Sequence, residues 1–245
     1  MSKRWYVGLY ERSGIMARPW VEAGYEALCV DIKNTPGYRG GIHYSNADLR
    51  DGFVFPIPVD EVAFLASFSP CTDVAVSGAR WFATKGPRAL GDAICQFATG
   101  LEAGEASCAP YMCENPVSVL STHVRKPDHI FHPCDYDGWC EFDNYTKRTC
   151  LWTGGGFVMP PVHSTGRKPD DRIHKAPPGP ERAGFRSATP EGFARAVFHA
   201  NTTQSRPTEN TAPRPRLHTA KRVRVEPLNS SERSEVAASR APASE

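Results

Sequence analysis

The stretch WYVGLYERSGIMARPWVEAGYEALCVD, residues 5–31, decides how this chain reads. Tyr6-Val7-Gly8-Leu9-Tyr10 and Ala27-Leu28-Cys29-Val30 are short apolar runs of the kind that form buried strands. Between them, the sequence from Arg18 to Gly24 predicts a helix. Further on, Phe64-Leu65-Ala66-Ser67-Phe68 reads as another strand. From Ala89 to Ala103, Leu90, Ile94, Phe97, Ala98 and Leu101 recur at helical spacing, and Tyr111-Met112-Cys113 follows as a strand. Thr149-Cys150-Leu151-Trp152 predicts a strand, and Pro190 to Ala200 a helix. Strands alternating with helices predict an α/β domain over residues 1–201, with a mostly parallel sheet covered on both faces. Ligands of such sheets sit at the carboxyl ends of the strands, so the residues just after each strand are the candidates for function.

The rest of the composition sets limits. The chain has 245 residues, 40% hydrophobic and 23% charged, which suits one globular domain with some length left over. A formal net charge of +2 is too small to argue for nucleic acid by itself. No apolar run approaches the ~20 residues that span a bilayer, and no apolar leader precedes Trp5. A cytoplasmic protein without membrane association is therefore expected. Of the eight cysteines, Cys29, Cys95 and Cys113 read as small buried hydrophobes. Residues 202–245 are rich in Ser, Thr, Pro, Ala and Arg and predict a disordered tail. Its cluster of Arg214, Arg216, Lys221, Arg222 and Arg224 fits a solvated tail or a weak phosphate-binding arm. The stretch from Met159 to Gly184 is too rich in proline for a regular element.

Several residues after the strands can carry chemistry. Ser13-Gly14-Ile15 stands at the first strand-to-helix turn, where a glycine permits close backbone approach to a ligand. Asp31 ends the second strand, and an acid there suits either ribose hydroxyls or the capping of the next turn. Asp48 offers another carboxylate near a loop end. Ser69-Pro70-Cys71-Thr72 follows the strand ending at Phe68 and would aim a thiol into the cleft, although a buried inert cysteine is the alternative. Glu114-Asn115-Pro116 follows the next strand; a partly desolvated glutamate there can hold a proton near neutral pH, or serve as a salt-bridged loop acid. His129, His132, Cys134, Cys140 and Cys150 lack the paired spacing of a structural zinc site. Gly154-Gly155-Gly156 lacks the Lys-Ser/Thr of a phosphate loop and reads as a strand-end turn.

In this order the pieces resemble the cytosine-C5 DNA methyltransferase family. Tyr10 to Ile15, with Glu22-Ala23-Gly24-Tyr25-Glu26 and Asp31, resembles that family's opening loop and second-strand acid. Pro70-Cys71 resembles its Pro-Cys nucleophile motif, Glu114-Asn115 its Glu-Asn-Val motif, and Lys147 to Trp152 its Gln-x-Arg-x-Arg strand. Phe185 to Phe198 resembles the segment that returns to complete the cofactor pocket. The compact chain is also similar to methylase-like proteins of bacteriophages, which would place it in a host cytoplasm. The resemblance implies a Rossmann-like methyltransferase fold, S-adenosylmethionine as cofactor, DNA as substrate and no metal. It implies Cys71 as nucleophile, Glu114 as the group that binds the cytosine ring, and Arg148 as a substrate-holding cation. Ser13, Gly14, Ile15, Asp31, Asp48, Pro70 and Thr189 are implied around the cofactor.

The sequence departs from the family at several places. Met16 and Ala17 stand where the family has glycines, and Thr146 and Cys150 replace the glutamine and second arginine of its strand. Ser187-Ala188-Thr189 stands for Asn-Ser-Val. Only the stretch from Met159 to Gly184 fills the place of a large target-recognition domain. The alternatives are thus an enzyme acting on a free cytosine nucleotide and a catalytically silent cofactor binder.

Overall fold

The computed structural model describes residues 4–202 apart from Ala176, Pro178 and Pro180. The expected tail, with its basic cluster, lies outside the described residues from 203 onward.

One eight-stranded sheet organises the chain: β1 (Trp5–Leu9), β2 (Glu26–Val30), β3 (Gly37–Arg39), β4 (Ile42–Ser45), β5 (Val62–Ser67), β6 (Tyr111–Pro116), β7 (His129–Phe131) and β8 (Thr149–Gly154). Their order across the sheet is β3-β4-β2-β1-β5-β6-β8-β7. β4, β2, β1, β5 and β6 run parallel, whereas β8 is antiparallel to both β6 and β7, and β3 forms an antiparallel edge on β4. The expectation of a mostly parallel α/β sheet is met. β1, β2 and β5 are buried along their whole length, as continuous apolar strands with both faces covered must be.

Helices cover the two faces. α1 (Arg18–Glu22) is the crossover between β1 and β2, and Ala23 and Gly24 of the predicted helix serve as its C-terminal turn. α2 (Phe82–Ser107) is longer than its periodicity suggested and is interrupted at Gly86, whose φ is +79°, just before Pro87. Phe97, Leu101 and Trp152 pack with Val7, Leu9 and Leu65 on the α2 side of the sheet. Cys95 does not belong to this core: it is exposed, because the buried positions Ala93, Phe97 and Leu101 recur every fourth residue and leave it on the outer face of α2. Cys29 and Cys113 are buried, as read.

α3 (Leu120–His123) is a single turn after β6. The proline-rich stretch was expected to hold no regular element, but α4 (Arg172–Lys175) and the start of α5 (Glu181–Ser187) lie within it. The segment that forms α4 is free of proline, and Asp170 accepts the Arg172 backbone N–H at 3.0 Å to start the turn. α6 (Glu191–Thr202) packs with α1 on the second face, where Trp20, Phe64, Leu151, Phe193 and Val197 are buried together. Among the described residues no helix is long and apolar enough to cross a membrane.

This topology creates a crevice. The chain leaves β1 toward β2 and β4, then returns to β5 on the other side of β1, so the connections diverge at the carboxyl ends of β1 and β5. Asn34 ties the rim of that crevice together. Its buried side-chain amide donates to the carbonyls of Glu11 and Cys29, both at 3.1 Å, and lies 3.4 Å from that of Ser45, joining the ends of three strands. Asn34→Ala should therefore lower stability by about 2 kcal/mol, since buried carbonyls would lose their donors; urea denaturation of the two proteins measures this.

Candidate active site

The first wall of the crevice is the loop between β1 and α1. Tyr10 takes a left-handed conformation, with φ +56°, and so turns the chain back beneath the loop. Glu11 is 2% exposed as a result, and its backbone N–H donates to the Val30 carbonyl at 3.2 Å. Gly14 is required twice over: its φ is +66°, and a Cβ there would lie 2.5 Å from the Tyr44 hydroxyl. Ser13 is exposed and accepts the Ile15 N–H at 3.3 Å, while Ile15 is half-buried.

At the end of β2, Asp31 is half-exposed, and its Oδ1 accepts the Lys33 N–H at 2.7 Å; Ile32 beside it is exposed. Asp48, just after β4, is engaged in a two-pronged contact in which Arg50 Nε lies 3.0 and 2.9 Å from its two oxygens. That hydrogen bonding holds the Asp48 carboxyl below its ordinary range.

The opposite wall comes from β5, β6 and β8. Pro70 is exposed and Cys71 half-buried in the loop after β5. The Cys71 carbonyl accepts the N–H groups of Val74 and Ala75 at 3.2 and 2.9 Å. Asn115, fully buried on β6, donates its side-chain amide to the Ser69 carbonyl at 3.2 Å, so the Glu-Asn pair fixes the Ser69-Pro70-Cys71 turn. Ser67 and Cys113 are cross-strand partners, which puts Glu114 and the turn carrying Cys71 at neighbouring strand ends. Burial and the Glu114 charge push the Cys71 thiol up, while Lys147 and Arg186 pull it down. Burial likewise raises the Glu114 carboxyl, and Lys147 opposes it.

Lys147 was not singled out from the sequence, yet it acts on both groups. Side chains alternate along a strand, and Cys150 and Trp152 of β8 belong to the α2-side core while Leu151 faces α6. Lys147 and Thr149 therefore share the α6 face, and together with Glu114, Phe193 and Thr189 they line a small pocket. Arg148 is exposed and is not among the residues lining that pocket. The alternation of Cys150 and Trp152 was the available signal for Lys147. Lys147 Nζ also donates to the Ala188 carbonyl at 3.4 Å, which links β8 to the segment entering α6.

A second depression is lined by Asp73, just after Cys71, with Phe82, Lys85 and Leu90 of α2. Among the described residues, no three His, Cys, Asp or Glu side chains converge as metal ligands, so His129, His132, Cys134, Cys140 and Cys150 form no such group. Gly155 and Gly156 make a turn at the end of β8, with φ +61° and +83°. No protein-family model matches this sequence, and a search of the curated proteins finds no match.

Proposed function

We propose that this chain is a Rossmann-like methyltransferase that moves a methyl group from S-adenosylmethionine to C5 of cytosine in DNA, with Cys71 as nucleophile. The observation that carries the reading is the meeting of Cys71, Glu114 and Lys147 at neighbouring strand ends beside the topological switch point.

The residues on the β1 side fit an adenosyl cofactor. The loop from Ser13 to Ala17 offers a backbone cradle beside a glycine that cannot be replaced without a clash. Half-exposed Asp31 suits ribose hydroxyls, and exposed Ile32 next to it offers an apolar face to a flat ring. Asp48, already held by Arg50, is the weakest of the expected contacts. When bound, the cofactor supplies an electrophilic methyl group.

The chain's own residues supply the rest. Ionised Cys71 adds through its sulfur to C6 of the cytosine, which places the ring's electron pair at C5. Protonated Glu114 donates to N3 and offsets the charge that develops on the ring. Lys147 favours the ionised thiol by its positive charge. After methylation, loss of the C5 proton to a base re-forms the C5–C6 double bond and expels Cys71. Access to a base in duplex DNA requires that it be flipped out of the stack.

A second reading, C5 modification of a free cytosine nucleotide, is favoured by one observation. From Gly155 to Pro180 the described residues contain a single four-residue helix, α4, and offer no element large enough to read a major groove. The deciding experiment follows labelled methyl from S-adenosylmethionine to unmethylated duplex DNA and, in parallel, to deoxycytidylate. Label at cytosine C5 of DNA is expected. Label on deoxycytidylate alone would establish the second reading, and label on neither by protein that binds the cofactor would overturn both.

A further inference from the structure

Glu11, a buried acid that no catalytic step uses, lies directly beneath the loop assigned to the cofactor. Its Oε2 accepts the Tyr6 hydroxyl at 2.6 Å, and its Oε1 accepts the Met16 N–H at 3.1 Å. The Ala17 N–H and the Cys29 thiol also lie near the carboxylate and favour its ionised form. β1 makes room for it with Gly8, where a Cβ would lie 2.1 Å from Glu11 Oε2. The left-handed Tyr10 delivers it there. A glycine within the strand and a left-handed non-glycine residue thus make room for one buried carboxyl group.

We propose that Glu11 is the positioning residue of the cofactor loop: its carboxylate holds the Met16 N–H from below, and cofactor affinity follows its ionisation. The inference rests on the cofactor reading above. The groups aimed at the carboxylate are all donors, so the ionised form satisfies them together. A protonated carboxyl must itself donate, and the Tyr6 hydroxyl would then have to change from donor to acceptor.

The titration range supports this role. Burial raises the Glu11 carboxyl to about 7, against hydrogen bonds from Tyr6 and Met16 that lower it. Tyr6 from β1, Cys29 from β2 and Tyr44 from β4 face the same cluster, and each is pushed above its ordinary value, so they stay neutral across this range. Asp143, raised to about 6, titrates nearby in pH but sits at the start of α6, where it accepts the Gly192 N–H at 2.6 Å.

The test measures binding of S-adenosylhomocysteine to the full chain by calorimetry, between about pH 5.5 and pH 8.5. Wild-type affinity is expected to fall about tenfold from the alkaline to the acid end. Glu11→Gln should bind about tenfold more weakly at the alkaline end and lose this pH dependence, which also separates it from any contribution of Asp143. Tyr6→Phe keeps the carboxyl but removes a hydrogen bond that lowers its pKa, so its profile should move to higher pH. That shift is one a merely structural residue would not produce, and it stands even if Glu11→Gln fails to fold. A flat wild-type profile, or folded Glu11→Gln with wild-type affinity, overturns the inference. Folded wild-type protein that binds no S-adenosylhomocysteine at any pH overturns the cofactor reading itself.

Discussion

Replacing Cys71 by alanine is expected to reduce methyl transfer by about 10⁴-fold, to background, while leaving S-adenosylhomocysteine affinity within about threefold of wild type. The two effects separate because the loop's shape does not depend on the thiol. The Cys71 carbonyl, not its side chain, closes the turn with Val74 and Ala75, and the Asn115 amide holds Ser69 on the other side. Cys71 is half-buried, so removing its sulfur leaves only a small, partly open gap. The cofactor cradle proposed here belongs to β1 and β2, across the switch point. Loss of transfer together with loss of cofactor binding would mean that Cys71 shapes the crevice. Retained transfer would remove the covalent mechanism. Single-turnover measurements with labelled cofactor, beside calorimetry on the same preparations, distinguish these results.

The parts of the fold that could be read in the sequence are those whose side chains are buried on both sides. β1, β2, β5, β6 and β8 are apolar runs because helices cover both faces of the sheet there. β3, β4 and β7 escaped the reading: β3 and β7 are the edge strands, and β4, beside β3, is buried over only half its length, so none carries such a pattern. All of β3 is exposed, and its pairing with β4 depends on Gly40 and Gly41, which turn with φ +58° and +83°. β7 has three residues and pairs only with β8. At the candidate site, Cys71 and Glu114 were visible because reactive residues directly after apolar runs stand out. Lys147 was hidden by its neighbour Arg148: which of two adjacent cations faces the pocket depends on strand alternation, and the motif alone did not give its phase. Glu11 was hidden for another reason. An acid two residues past a strand ordinarily reaches water, and the left-handed turn at Tyr10 sends this one inward.

Glu114→Gln should slow methyl transfer by about 10²–10⁴-fold and change the form of the pH profile. The productive state needs a proton on Glu114 and none on Cys71, yet burial raises both groups and the thiol remains the weaker acid. The productive arrangement is therefore a minor form of the singly protonated pair. Its population rises as the pair loses its first proton, mainly from Glu114, and falls as the second leaves Cys71, which gives a bell-shaped rate profile. Glutamine keeps a donor for N3 at every pH, so the variant should show one ascending limb, set by Cys71, and no alkaline decline. That limb lies above the wild-type ascending limb because a thiol now titrates where a carboxyl did. It should also lie below the wild-type descending limb, since the Glu114 charge that raised Cys71 is gone. Lys147→Met is expected to move the Glu114→Gln limb back upward by removing the cation that favours the thiolate. Rate profiles of the three proteins, with cofactor and substrate saturating, measure these shifts. A Glu114→Gln profile that keeps the wild-type bell would show that Glu114 is not the group whose proton the reaction needs.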